Sequence, residues 1–144
     1  EVDGVILARA GIDRLIADNK YVTEYSDIFN KISISVIKES DILPAPAQGI
    51  LCAEYANDDM AEILEKIQDK ECESLFAAER RYLSVLQADC HTSAGIFISS
   101  ASEKYSIKAY FDGKYMEADN IEKTLENLLM SVEELAGKLK RENV

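Results

Sequence analysis

The sequence predicts an α/β segment followed by a C-terminal α+β unit, and three observations carry that reading. Val5 to Ala8 is a short apolar run that leads through small residues into a helical opening from Gly11 to Ile16. Strand, small residues and then helix is the turn of α/β proteins, in which backbone N–H groups point toward a ligand. Ile32, Ile34 and Val36 alternate strictly with Ser33 and Ser35, the mark of a half-buried strand. Three strand patterns in the last third then feed one long amphipathic helix, which is an α+β order.

The elements follow in turn. Asp18 to Asn30 is polar with scattered aromatics and reads as helix and loop. Leu43-Pro44-Ala45-Pro46-Ala47-Gln48-Gly49 contains both prolines of the chain, which enforce stiff, extended backbone, so a domain crossing is placed there. Ile50 to Tyr55 resumes as a strand. Asp58 or Asp59 suits the cap of a helix running to about Lys70, with Met60, Ile63, Leu64 and Ile67 on one face. A second helix covers Glu73 to Gln87, and Ala88 to Ser93 is a loop. Gly95–Ser100, Tyr105–Phe111 and Lys114–Ala118 read as strands, the last two joined by an Asp112-Gly113 hairpin turn. The closing helix runs from Ile121 to about Arg141, with Asp119 and Glu122 as a capping box.

Composition narrows the function classes. The 144 residues carry 16 basic and 27 acidic side chains, a net charge of −11, which repels a nucleic-acid backbone, so no nucleic-acid partner is expected. At 47% hydrophobic with six glycines and two prolines, the chain is too apolar for disorder. It has no apolar run of membrane-spanning length and its acidic start is unlike a signal peptide, so no membrane partner is expected. Cys52, Cys72 and Cys90 form no Cys-x-x-Cys pair, which favours free thiols, a cytoplasmic setting and no metal site.

Few residues offer chemistry. Cys90 lies in a loop off any apolar stripe, where a thiolate can act as nucleophile or attachment point, against the commoner fate of a small buried hydrophobe. Arg9 and Arg14 flank the first strand-to-helix turn, placed either for an anionic carboxylate or for surface pairing with Asp13 or Asp18. Glu79-Arg80 reads most economically as an intrahelical or interdomain ion pair.

The order of these pieces resembles one family. Leu7-Ala8-Arg9-Ala10-Gly11-Ile12-Asp13-Arg14-Leu15 is similar to the L-A-x-A-G-[LIM]-x-R-[LM] segment of porphobilinogen deaminase, also called hydroxymethylbilane synthase. Leu43 to Leu51 resembles that family's L-P-A-x-x-Q-G-A-[LV], with Glu54 at its following acid. Ala78-Glu79-Arg80, with Cys90 and Gly95 downstream, is similar to A-E-R…G-G-C-x-x-P-[IV]-G, although Ala88-Asp89 and Ser93 stand where the family has glycines and proline.

The resemblance implies a transferase of tetrapyrrole (haem) biosynthesis that joins four porphobilinogen molecules into hydroxymethylbilane and releases ammonia. It implies a dipyrromethane cofactor held through a thioether to Cys90 and cofactor or substrate contacts at Arg14, Gln48 and the backbone at Ala8. Porphobilinogen and pyrrole-chain intermediates are the implied ligands. No segment matches the family's catalytic aspartate, so no catalytic residue is assigned. The implied architecture begins with a remnant, the C-terminal part of a periplasmic-binding-protein-like α/β domain two (1–43), and a linker, strand and helix returning toward domain one (44–70). A C-terminal α+β domain three follows (71–144), which carries the cofactor-cysteine loop and has a three-stranded antiparallel sheet with helices on one face. On this reading the chain is a C-terminal portion, inactive alone, whose partner is the missing N-terminal part. A degenerate homologue serving in binding or assembly is the alternative. Residues 71–144 are expected to fold alone, and residues 1–43 to need their missing sheet or a partner.

Overall fold

The structure, a computed structural model, describes residues 3–101 and 103–142. The chain divides into two units, Glu1–Lys38 and Glu39–Val144.

The first unit holds three short helices, α1 (Arg9–Ala17), α2 (Asn19–Glu24) and α3 (Ser26–Phe29). Asp18 ends α1 and caps α2, its carboxylate accepting the Lys20 amide at 3.0 Å. No described residue of this unit is buried. The strands expected at Val5–Ala8 and Ile32–Val36 do not form, and neither does the one at Ile50–Tyr55 in the second unit. The reason is physical: a strand is held by a ladder to a neighbour, and the described residues supply none to these segments. Their apolar side chains stay in water, Val5 at 71% and Leu51 at 97% exposure.

The second unit contains α4 (Asp58–Glu65), α5 (Lys70–Leu86), strands β1 (Ala94–Ala101), β2 (Lys104–Phe111) and β3 (Lys114–Glu122), and α6 (Leu125–Glu142). Asn57, rather than either expected aspartate, caps α4 by accepting the Met60 amide. Asp69 caps α5, accepting two amides at 3.0 Å. The sheet is antiparallel in the order β1-β2-β3. Its central strand alternates cleanly, with Tyr105, Ile107 and Ala109 buried. Asp112 and Gly113 both adopt positive φ, which gives the hairpin turn its tight reversal. Near its end β3 carries an extra residue opposite Tyr105–Ile107, and Asn120 takes a left-handed φ of 61° there.

Helices α5 and α6 pack on each other and on the sheet, closing a core of Ala78, Tyr82 and Leu86 from α5, the inward strand residues, and Leu128, Val132, Leu135, Ala136 and Leu139 from α6. The mixed fold with a three-stranded antiparallel sheet is as expected. The capping box is not: β3 runs on through Asp119 to Glu122, and Thr124 caps α6 instead, its hydroxyl accepting the Asn127 amide at 3.2 Å. Arg81 of α5 pairs with Glu133 of α6 at 2.7 Å, and Lys140 donates to the Val85 carbonyl at 3.2 Å, satisfying an orphan acceptor at the end of α5. No described helix is long and apolar enough to cross a membrane.

Helix α5 ends in a Schellman turn. Ala88 N–H donates to Leu83 O at 3.0 Å and Gln87 N–H to Ser84 O at 3.2 Å, with Gln87 at φ 58°. A side chain is strained in that conformation and glycine is not. Gln87→Gly is expected to stabilise the unit by about 0.5–1 kcal/mol, less the small exposed contact to Lys140. The check is a rise in the midpoint of thermal unfolding.

Candidate functional site

Cys90 sits where α5 gives way to β1. The loop closes through its own side chains: the Asp89 carboxylate accepts the Thr92 hydroxyl at 2.8 Å and the His91 amide at 2.9 Å, while Thr92 Oγ1 accepts the Asp89 amide at 2.9 Å. The hydrogen bond from Thr92, followed by that from His91, holds the Asp89 carboxyl below its usual range. Among the described residues, none from Ala88 to Ala94 has a positive φ. The turn thus forms without glycine, because a ring of side-chain bonds does the bending. Cys90 itself is exposed and carries a free thiol, as does Cys52, while Cys72 is half-buried and also free.

Gln48 lies in a turn that the prolines open. Its amide donates to Ala45 O at 3.0 Å and the Ile50 amide to Ala47 O at 3.3 Å, with Ala47 at φ 65° and Gly49 at φ 86°. The segment is docked rather than free. Pro44 O accepts the Ile96 amide at 3.1 Å, and the Leu43-Pro44 backbone presses on Gly95, where an added Cβ would lie 3.0 Å from Leu43 Cβ. Glu79 of α5 reaches across to accept the Ala47 amide. It forms no ion pair with Arg80 among the described residues, contrary to the sequence expectation, because its carboxylate faces the turn. Burial pushes the Glu79 carboxyl above its usual range, and the Ala47 hydrogen bond offsets part of that.

The second unit therefore joins the Leu43–Gly49 segment, Glu79 of the A-E-R segment, and Gly95 after the Cys90 loop. Gln48 and Glu79 line a cleft of about 590 Å³ together with Glu71, Ser100 and Lys123. Cys90 does not line it. Lys123 pairs with Glu71 at 2.9 Å.

Ala8 and Arg14 lie in the first unit. Ala8 is the N-cap of α1 with no side-chain cap, its carbonyl accepting the Gly11 amide at 3.1 Å. Arg9 pairs with Asp13 at 3.2 Å, while Arg14 is exposed in the last turn of α1 and makes no ion pair among the described residues. No group of described His, Cys, Asp and Glu side chains is arranged to hold a metal ion.

A family model described as "Porphobilinogen deaminase, dipyromethane cofactor binding domain" matches residues 1–64. Relatives named porphobilinogen deaminase align beyond it. The chain is 39% identical to that of Clostridium novyi over 94 residues, 64% of this chain and 28% of the relative. It is 30% identical to that of Caldicellulosiruptor saccharolyticus over 141 residues, 96% of this chain and 44% of the relative. The relative from Fusobacterium nucleatum is 28% identical over 148 residues, again 96% of this chain and 45% of the relative. The chain thus spans less than half the length of these curated relatives. The family model and the relatives together point to the porphobilinogen deaminase family.

Proposed function

We propose that this chain is the C-terminal portion of a porphobilinogen deaminase, the transferase of haem biosynthesis that joins four porphobilinogen molecules into hydroxymethylbilane with release of ammonia. The observation that carries the reading is the convergence of two motif segments. The turn bearing Gln48 is docked on Glu79 of the A-E-R segment and on the first residues of β1, just beyond Cys90. The Leu7–Leu15 motif, which contains Arg14, precedes them in the family order.

The residues present suit a dipyrromethane group. Attachment needs an accessible, unpaired thiol, and Cys90 is exposed and free. The Asp89 carboxylate beside it is already engaged by Thr92 and His91. When bound, the group supplies the pyrrole carbon that receives the first substrate unit. Cys90 anchors it through a thioether and so prevents loss of the growing product. Arg14 presents a guanidinium with no ion pair among the described residues, matched in fork geometry to acetate and propionate carboxylates. Gln48 offers an amide as donor or acceptor to a pyrrole chain, and the resemblance assigns the backbone at Ala8 to the cofactor-binding set. The deaminating carboxylate belongs to the part of the family that this chain does not match, so the 144 residues alone are inactive. Three free thiols suit a reducing cytoplasm.

The test is the mass and turnover of the complete gene product. The expected result is a protein heavier than its sequence by one dipyrromethane, and porphobilinogen consumption that falls to background in Cys90→Ser along with the added mass. An unmodified, inactive wild type would overturn the reading in favour of a non-catalytic homologue acting in binding or assembly.

A further inference from the structure

The Gln48 turn poses an energetic question. Ala47 adopts the left-handed conformation at φ 65°, which costs a residue with a Cβ about 1–2 kcal/mol. Something must hold it there, and the described contacts identify what. Pro44, at the start of the segment, is fixed by the Ile96 amide. Three residues later the Ala47 amide is fixed by the Glu79 carboxylate, from a position 32 residues along the chain. Gln48 follows immediately, so the direction of its side chain depends on the Ala47 torsion.

The other charged groups in the cleft are committed elsewhere. Asp69 accepts the Glu71 and Cys72 amides at the start of α5. Glu71 pairs with Lys123, and the Lys123 ammonium also lies 5.8 Å from the Tyr105 ring centre. The Leu43–Gly49 segment bears no charged side chain. Glu79 is thus a half-buried carboxylate with no cation partner among the described residues, bonded to one amide of the turn. A carboxylate placed so is poorly hydrated, and the charge-assisted bond to Ala47 is what it gains.

We infer that Glu79 is a positioning residue for Gln48: by accepting the Ala47 amide it locks the left-handed turn that presents Gln48 to the cleft. The functional weight of Gln48 rests on the reading proposed above, but the lock itself does not. A carboxyl raised by burial binds its proton more tightly in the folded chain than in the unfolded one. Its contribution to stability is fullest below the unfolded value and is lost as pH rises through the folded one. Glu79→Gln keeps an acceptor oxygen and removes that slope.

Amide NMR on the isotopically labelled full chain tests the lock without any ligand. In the wild type the Ala47 amide proton should shift with a titration above the ordinary glutamate range. Glu79→Gln should abolish the titration and keep the amide protected. Glu79→Ala should speed hydrogen exchange at Ala47 and Gln48 about tenfold or more, with Ile107 and Ala109 in the central strand unchanged. Unaltered exchange at Ala47 and Gln48 in Glu79→Ala, or a wild-type Ala47 amide that ignores pH, overturns the inference. If Glu79→Ala fails to fold, the wild-type and Glu79→Gln titrations decide alone. In the complete gene product, Glu79→Ala should raise the KM for porphobilinogen about tenfold with kcat held, and Glu79→Gln should restore it. A wild type without turnover overturns the proposed function and leaves the amide result to decide the lock. Faster exchange with an unchanged KM overturns the role in presenting Gln48.

Discussion

Tyr82→Ala is expected to remove about 3–5 kcal/mol from the stability of the second unit, as deletion of other large buried rings does. Tyr82 is fully buried on α5, in line with Ala78 and Leu86, and faces the sheet and α6. Its hydroxyl donates to Tyr110 O at 2.7 Å, tying the helix to the central strand. Alanine would leave a cavity and also deprive that carbonyl of its donor. Against a total stability of about 5–15 kcal/mol for a typical domain, the loss is a large fraction of the folding free energy and should lower the unfolding midpoint markedly. Tyr82→Phe separates the two contributions, with an expected cost of about 1–2 kcal/mol for the hydrogen bond alone. Urea unfolding followed by far-ultraviolet circular dichroism measures both. Equal midpoints for Tyr82→Ala and wild type would show that α5 is not seated as described.

Gly95→Ala is the second large effect, an overpacking cost of about 1–3 kcal/mol. The new Cβ would stand 3.0 Å from Leu43 Cβ and 3.3 Å from the Leu43 and Pro44 carbonyl oxygens, all tighter than ordinary contact. Gly95 is on β1, whose pairing with β2 fixes it in place, so the proline segment must yield. Yielding stretches the 3.1 Å bond from the Ile96 amide to Pro44 O. The expected signature is a lowered unfolding midpoint together with protease cleavage within residues 43–49. Cleavage there at the wild-type rate would contradict the packing.

The C-terminal half was legible because its signals are local and mutually complete. The α6 stripe of Leu128, Val132, Leu135 and Leu139 repeats at helical spacing, and the partner surfaces it needs lie on neighbouring elements of the same unit. The three strands were found to within four residues because alternation and the Asp112-Gly113 turn leave little choice of register. Val5–Ala8, Ile32–Val36 and Ile50–Tyr55 have strand composition, but composition cannot supply a ladder. That depends on neighbours distant in sequence, and the described residues do not provide them. The α6 start was misread because Asp119 and Glu122 look like a capping box, while the extra residue at Asn120 lets β3 continue through them. At the site, the Cys90 loop was legible as a loop. The side-chain ring that shapes it depends on Asp89 and Thr92 meeting, which spacing suggests weakly. The contact from Glu79 to Ala47 was illegible as such, since nothing local distinguishes a glutamate facing a turn from one facing its neighbouring arginine.

The exposed segment at residues 32–37 has one further consequence. Ile32-Ser33-Ile34-Ser35-Val36-Ile37 is six residues of high β-propensity with no charge and no proline. Ile32, Ile34 and Val36 are each at least half exposed, and the backbone is in no ladder among the described residues. That is the composition of a steric zipper, able to template the same segment of another molecule. Lys31 and Lys38 bracket it, one positive charge at each end, where stacked copies would bring like charges within about 5 Å of one another. These two lysines, which take part in no chemistry described above, stand where they would oppose such stacking.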